Sequence, residues 1–443
     1  MNRLFPIVVC TILLVNTVGL HAQVRFSLQD AWDQALENRA SGRMDQLDIA
    51  IANERVKQSY KALYPGISAD IDFRNNLKLP TTIVPNVFNP NAGQENIAVQ
   101  FGTRYNTVAS LQLNYPILDL RLRDQLNLVK LNVEVANIRK SVNDQALRQE
   151  VADAYFAVLV NQERLRQLDS NLVNARKQAD LARIKVEEGL LQQIEWRQLE
   201  VNYNNLQDEK LQMQQQYELS RQVLKLKMGM DVGASLDLDA SALTDTTTEV
   251  VPATYQMQLL PRYRLSEKNI EIANTNALVT KKEILPVVSL YGFVGTQAQG
   301  DRFQPFNGEV FPWTNYYYIG AKLSWPLDNF FTHGSALSEA RLQVERSEQE
   351  LRSTEREIKE ELLHAFTTEK NDLIQLRIAS RDLAFAESNL EFVFDQFATD
   401  LVTTGKLSEA QDKLALAQTN YLIALFNYLT SKTKRKLLTG AAG

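Results

Sequence analysis

Residues 165–186 read LRQLDSNLVNARKQADLARIKV, and residues 376–397 read LRIASRDLAFAESNLEFVFDQF. In the first stretch Leu165, Leu168, Leu172, Ala175, Ala179, Ala182 and Val186 are spaced 3-4-3-4-3-4. Shifted by 211, the same spacing holds Leu376, Ala379, Leu383, Ala386, Leu390, Val393 and Phe397. That period is the signature of a helix with one apolar seam, as in a coiled coil. A duplication that keeps its heptad phase duplicates a structural unit, so the chain is read as two tandem repeats.

Working outward, each seam has a returning partner. Leu407, Ala410, Leu414, Ala417, Tyr421, Ala424 and Tyr428 form one stripe; Trp196, Leu199, Tyr203, Leu206, Lys210, Met213 and Tyr217 form the other, 211 residues earlier. No proline stands between Pro116 and Pro252 or after Pro326. Both halves therefore predict a helical hairpin, over about 119–230 and 329–440, with outgoing arms near 119–188 and 329–399. About 70 helical residues extend roughly 100 Å, too long for a globular core and natural for a coiled coil.

Strand-like segments precede each hairpin. Ile67, Ala69, Ile71 and Phe73 alternate with Ser68, Asp70, Asp72 and Arg74; Leu111, Leu113 and Tyr115 alternate with Ser110, Gln112 and Asn114. In the second half Ile319, Ala321, Leu323 and Trp325 alternate with Tyr318, Gly320, Lys322 and Ser324. Period two predicts strands with one apolar face, over about 66–78, 98–116, 286–297 and 315–327. Leu79 to Asn96, with Pro80, Pro85 and Pro90, reads as a loop, as does Gln297 to Pro312. Before the strands, Ser27-Leu28-Gln29-Asp30 opens a helix of about 35 residues to Leu63, and Pro261 opens its counterpart.

The first 22 residues read as a secretory signal: Arg3, an apolar run from Ile7 to Val18, and Leu20-His21-Ala22 before Gln23. Cys10 lies within that run, so the mature chain is expected to hold no cysteine and to be unlipidated. Residues 23–230 and 258–443 are the two repeats, and 231–257, rich in Asp, Ser and Thr, is a connector ordered at most in part. A net charge of −5 with interspersed signs argues against nucleic acid. The cluster Lys432, Lys434, Arg435 and Lys436 reads as a solvated helix end. No phosphate-binding loop, metal-ligand cluster or nucleophile with a base is present, so no enzyme activity and no cofactor are expected.

Strands with an apolar outer face suit lipid, where backbone pairing demands a closed barrel. Four strands cannot close, since the smallest bacterial barrels have about eight. Several chains must join: two give eight strands, three give twelve. A soluble periplasmic coiled-coil scaffold is the alternative reading.

The ordered set of segments resembles the TolC-type outer-membrane channel proteins of Gram-negative bacteria. It comprises Leu28 to Leu36, Leu63-Tyr64-Pro65, Asn114-Tyr115-Pro116-Ile117, Ser324-Trp325-Pro326-Leu327, Gly189-Leu190-Leu191, Asp400-Leu401-Val402-Thr403 and Ala410-Gln411 through Asn427-Tyr428. The resemblance implies a mostly α fold with a small β part. It implies a homotrimer with a twelve-stranded barrel in outer-membrane lipid above a long α-helical coiled-coil tunnel in the periplasm. It also implies a passive exit duct of a tripartite efflux pump or type I secretion system, docked on a periplasmic adaptor protein and through it on an inner-membrane pump of RND or ABC type.

Three sets of residues follow as candidates. Gly189, Leu190, Leu191, Asp400, Leu401 and Val402 form the hairpin tips, where the adaptor would dock. Asp400 departs from glycine, and Gly405 beyond it offers another place for the second turn. Glu195 and Gln198, with Lys406 and Glu409 at the matching positions, would ring the aperture, and three copies of Glu409 or Glu195 would favour cations. Asp70, Asp72, Arg74, Gln112, Asn114 and Lys322 would face the barrel interior, with Tyr115 and Trp325 near its rim.

Overall fold

The computed structural model describes residues 25–85, 96–244 and 255–440. The expected signal at 1–22 lies outside the described residues, as do 86–95 of the first loop and 245–254 of the connector. The chain forms two compact units. One comprises Met1–Gly42, Asp144–Thr254 and Leu362–Gly443; the other comprises Arg43–Asn143 and Tyr255–Glu361. Among the described residues no helix is long and apolar enough to cross a membrane.

The first unit is helical. Helix α1 (Leu28–Asn38) opens on a capping box, with Ser27 and Asp30 bonded reciprocally. It ends at Arg39, whose extended backbone separates it from α2 (Ala40–Lys61), so the expected helix of about 35 residues is broken in two. The break meets the turn at Gly229, where a Cβ would sit 2.8 Å from the Asn38 carbonyl carbon and oxygen. That is a tertiary constraint with no local sequence signal. Helices α3 (Leu122–Glu187) and α4 (Gln193–Lys227) form one hairpin, α6 (Asn329–Ala398) and α7 (Thr404–Leu438) the other. The heptad seams turn inward: Ala179, Ala182, Leu199, Leu390, Phe397, Leu407 and Leu414 share one buried cluster. A second cluster gathers Trp32, Val151, Tyr155, Leu159, Leu224, Leu376, Leu425 and Tyr428.

One expectation gains detail here and one is corrected. Of the connector, expected to be ordered at most in part, the structure describes 231–244 and 255–257. Phe26 forms a parallel bridge with Leu238, its N–H donates to the Asp237 carbonyl at 2.9 Å, and the Tyr155 hydroxyl donates to the Phe26 and Asp239 carbonyls at 3.0 and 2.9 Å. Leu236 and Leu238 are buried, an alternation masked in the sequence by the aspartates beside them. The basic cluster is not simply a solvated end. Lys432 is buried with its ammonium 5.6 Å from the centre of the Tyr428 ring, and Arg435 pairs with the buried Glu369 carboxylate.

The turns that end α4 and α3 make a direct comparison. Gly229 has φ +68° and faces the Asn38 backbone, whereas Gly189 has φ +76° and open space around it. Gly229→Ala therefore adds a backbone clash to the left-handed penalty and costs about 3 kcal/mol, against about 1 kcal/mol for Gly189→Ala. Thermal melts of the two variants, compared directly, check this; equal losses would contradict it.

The second unit holds two sheets and helix α5 (Pro261–Lys282), with Pro261 in the first turn. The larger sheet orders β1 (Gly66–Asn75), β4 (Tyr105–Leu118), β5 (Val287–Gly300) and β6 (Trp313–Ser324) as β1-β4-β5-β6, all antiparallel. Its edges are β1 and β6. The stretch read as a loop after β1 instead contains a small hairpin, β2 (Thr81–Pro85) paired with β3 (Asn96–Gln100). Its prolines gave the loop reading, but Pro85 stands at the strand end, where a missing N–H costs little. Arg262 pairs with Glu361 at 2.7 Å and Lys268 with Glu134 at 2.7 Å, tying α5 to α6 and α3 within this unit.

Candidate functional site

Residues directly opposed in a ladder share a face, and the register settles which do. Gly66 faces Asn114 and Ser68 faces Gln112. Asn114 faces Tyr291, Gln112 faces Phe293, and Ser289 faces Lys322. Asp70, Asp72, Arg74, Gln112, Asn114 and Lys322 therefore lie on one face of the sheet. Arg74 lies 3.6 Å from Asp72, and Asp70 accepts a hydrogen bond from the Ser68 hydroxyl at 3.1 Å. The other face presents Ile67, Ile71, Leu111, Val294, Ile319 and Leu323, all exposed, with Ile71 at 82% and Ile319 at 77%. Soluble monomers rarely leave so continuous an apolar face in water. Trp325, just past β6, anchors its indole N–H on the Ile284 carbonyl at 3.0 Å, and Tyr115 is half-buried in β4.

In the first unit, both hairpin turns close by the same backbone device. The Gly189 N–H donates to the Val186 carbonyl at 3.0 Å and the Leu190 N–H to the Lys185 carbonyl at 2.8 Å. The Asp400 N–H donates to Phe397 at 3.3 Å and the Leu401 N–H to Gln396 at 2.9 Å. Both are Schellman turns that need a left-handed residue, and Asp400 supplies it with φ +59°. The second turn is thus centred on Asp400; Gly405 lies within the first turn of α7. Leu190 and Leu401 project into solvent, 61% and 72% exposed. Leu191 and Val402 pack against the buried cluster beneath the tips.

Lys185, which the sequence reading passed over, explains the aspartate. It is only 4% exposed, although its partner is largely in water. Its ammonium donates to the Phe397 carbonyl at 2.6 Å and to the Asp400 carboxylate, so the first hairpin caps the last turn of α6. No local signal marks this lysine, since its partners lie more than two hundred residues away.

The aperture candidates divide. Glu195 is the third residue of α4, where its carboxylate accepts from the Gln192 N–H at 3.3 Å and from the Thr404 hydroxyl at 3.1 Å. Gln198 is exposed. Glu409 is exposed and shared by two lysines, Lys406 at 2.8 Å and Lys413 at 2.7 Å. Hydrogen bonds from Lys406 and then Lys413, reinforced by their charges, pull the Glu409 carboxyl from 4.5 down to about 2 and push Lys406 up.

The sequence profile of outer membrane efflux proteins matches residues 31–230 and 261–441. No curated protein matches this sequence. Among solved structures, the chain is similar to the MtrE outer membrane channel of Neisseria gonorrhoeae in its open state, with TM-score 0.73 and 17% identity over 93% of this chain and 88% of that one. The CmeC outer membrane channel of Campylobacter jejuni gives TM-score 0.71 and 15% identity over 93% and 85% of the two chains. The outer membrane protein VceC of Vibrio cholerae gives 0.70 and 15% over 93% and 96%. With this mostly helical fold, its smaller sheet part and the profile spanning both halves of the sequence, the chain belongs to the outer membrane efflux protein family and resides in the cell outer membrane.

Proposed function

We propose that this protein is the exit duct of a tripartite efflux pump or type I secretion system, working as a homotrimer. The observation that carries the reading is the four-stranded sheet: one face is mostly apolar and largely exposed, the other carries the charged and amide side chains, and among the described residues neither edge strand, β1 nor β6, has a second strand beside it. A bilayer accepts the apolar face but not the open edges. Four strands from each of three copies close as twelve, with β6 of one copy beside β1 of the next. Asp70, Asp72, Arg74, Gln112, Asn114 and Lys322 then face the water-filled lumen. The long hairpins, whose outer apolar residues such as Phe385, Phe392, Leu416 and Leu211 remain exposed in one chain, pack against neighbouring copies as a periplasmic tunnel. The tips receive a periplasmic adaptor that joins the duct to an inner-membrane pump of RND or ABC type. Transport through the chain is passive and driven by those partners.

Planar-bilayer recording tests both the duct and its aperture. The purified protein is expected to conduct ions, and Glu409→Ala to shift selectivity away from cations, because it leaves Lys406 and Lys413 without their shared carboxylate. The pH dependence has a definite sign. A depressed carboxyl stays ionised above its folded value, so its share of stability and selectivity is present above 4.5 and is lost as pH falls toward about 2. Selectivity should hold from neutral pH down to about pH 4, where an ordinary glutamate is already largely protonated. Loss of selectivity by about pH 4 would show that Lys406 and Lys413 do not hold this carboxylate ionised; unchanged selectivity in Glu409→Ala would reject its aperture role, and absence of any conductance would reject the duct.

A further inference from the structure

We propose that the polar face of the sheet carries a stacking site for planar aromatic solutes, formed by Phe293, Tyr316, Tyr318 and Tyr291. The inference rests on the reading of that face as the lumen. The register puts all four side chains on it: Phe293 faces Tyr318, Tyr291 faces Gly320 and Gly295 faces Tyr316. Their rings are ordered against each other. Phe293 stacks on Tyr316 with centroids 4.9 Å apart and planes 24° apart, and on Tyr318 at 5.1 Å and 7°. Tyr291 meets Tyr318 edge-on at 6.0 Å.

Two glycines make this arrangement possible. A Cβ on Gly295 would stand 2.5 Å from the Phe293 ring, and one on Gly320 would stand 2.6 Å from the Tyr291 ring. The Phe293 and Tyr291 rings therefore lie over the backbone at these glycines, and the cluster is packed before any solute arrives. Covering a glycine is a structural role by itself, yet Tyr316 and Tyr318 cover none and remain exposed.

The chemistry of the occupant follows from the rings and their flanks. Offset stacking rewards another planar π-system, and a preformed surface spares the cost of ordering side chains. The flanking charges cancel. Asp70 lies in the ladder row of Ser110, Gly295 and Tyr316, while Lys322 stands one row beyond Tyr291 and Gly320. The site therefore selects for a planar ring rather than for the sign of a charge, and it would hold aromatic cargo briefly in transit.

Gln112 shares a row with Phe293 and Tyr318, which makes it a reporter. In the full chain with its one cysteine, Cys10, replaced by serine, Gln112→Cys is labelled in lipid nanodiscs by a charged maleimide. Leu111→Cys, on the apolar face, is the shielded control. Proflavine, a planar aromatic cation, is expected to slow labelling of Gln112→Cys; tetraethylammonium, a cation without a ring, is not. Tyr318→Leu should weaken proflavine protection about threefold to tenfold, and Tyr318→Phe should preserve it. If Gln112→Cys cannot be labelled at all, the lumen reading fails and the site with it. If it is labelled but proflavine gives no protection, or tetraethylammonium gives as much, the stacking site is overturned while the lumen stands. That comparison needs no further variant to fold.

Discussion

Asp400→Ala lowers stability by about 3 kcal/mol, more than Lys185→Met, which costs about 1–2 kcal/mol. The asymmetry follows from where each charge sits. Lys185 is buried and keeps its ammonium between the Phe397 carbonyl and the Asp400 carboxylate, whereas Asp400 is largely in water. Removing the aspartate strands a buried cation beside a single carbonyl, and alanine at φ +59° adds left-handed strain. Removing the lysine leaves a carboxylate that water can solvate and the Phe397 carbonyl, which still accepts from the Asp400 N–H at 3.3 Å. Asp400→Gly separates the two effects: it relieves the backbone but not the stranded charge, so it falls between the other variants. Thermal melts of the detergent-solubilised protein measure all three. Lys185→Met as costly as Asp400→Ala would contradict this assignment.

The second large effect concerns export. Leu190→Asp combined with Leu401→Asp is expected to abolish export and leave the assembly intact. Both leucines follow the left-handed residue of a Schellman turn and point into solvent. Neither fills a core, so the aspartates cost the fold little while placing charge on an apolar contact surface. Leu191→Asp and Val402→Asp should behave differently, because those residues pack against the buried cluster and their loss destabilises the tips themselves. Cellular efflux of a fluorescent substrate, with assembly followed by size, checks the pair. Normal efflux in the double variant would remove adaptor docking from these two residues.

How much of this was legible in the sequence depends on the range of the interaction. The heptad from Leu165 to Val186 and the alternation from Ile67 to Phe73 are local periodicities, and they marked hairpins and strands directly. The capping box at Ser27 and Asp30 was equally local. What escaped depends on distant chain segments. The break at Arg39 meets Gly229, the segment around Leu238 is held by Phe26 and Tyr155, and Lys185 finds its partners on the other hairpin. The aromatic stack is legible from parity alone, since Tyr316, Tyr318 and Lys322 alternate together on one face. The sharing of Glu409 by two lysines was also within reach, because Lys406 and Lys413 stand three and four residues away on one helix.

The measurement that bears most directly on the duct is the native mass of the protein extracted from outer membranes in detergent. A mass of three chains is expected, as twelve strands require. A single chain that stays in solution without detergent would contradict the barrel, and with it the lumen, the aperture and the docking tips.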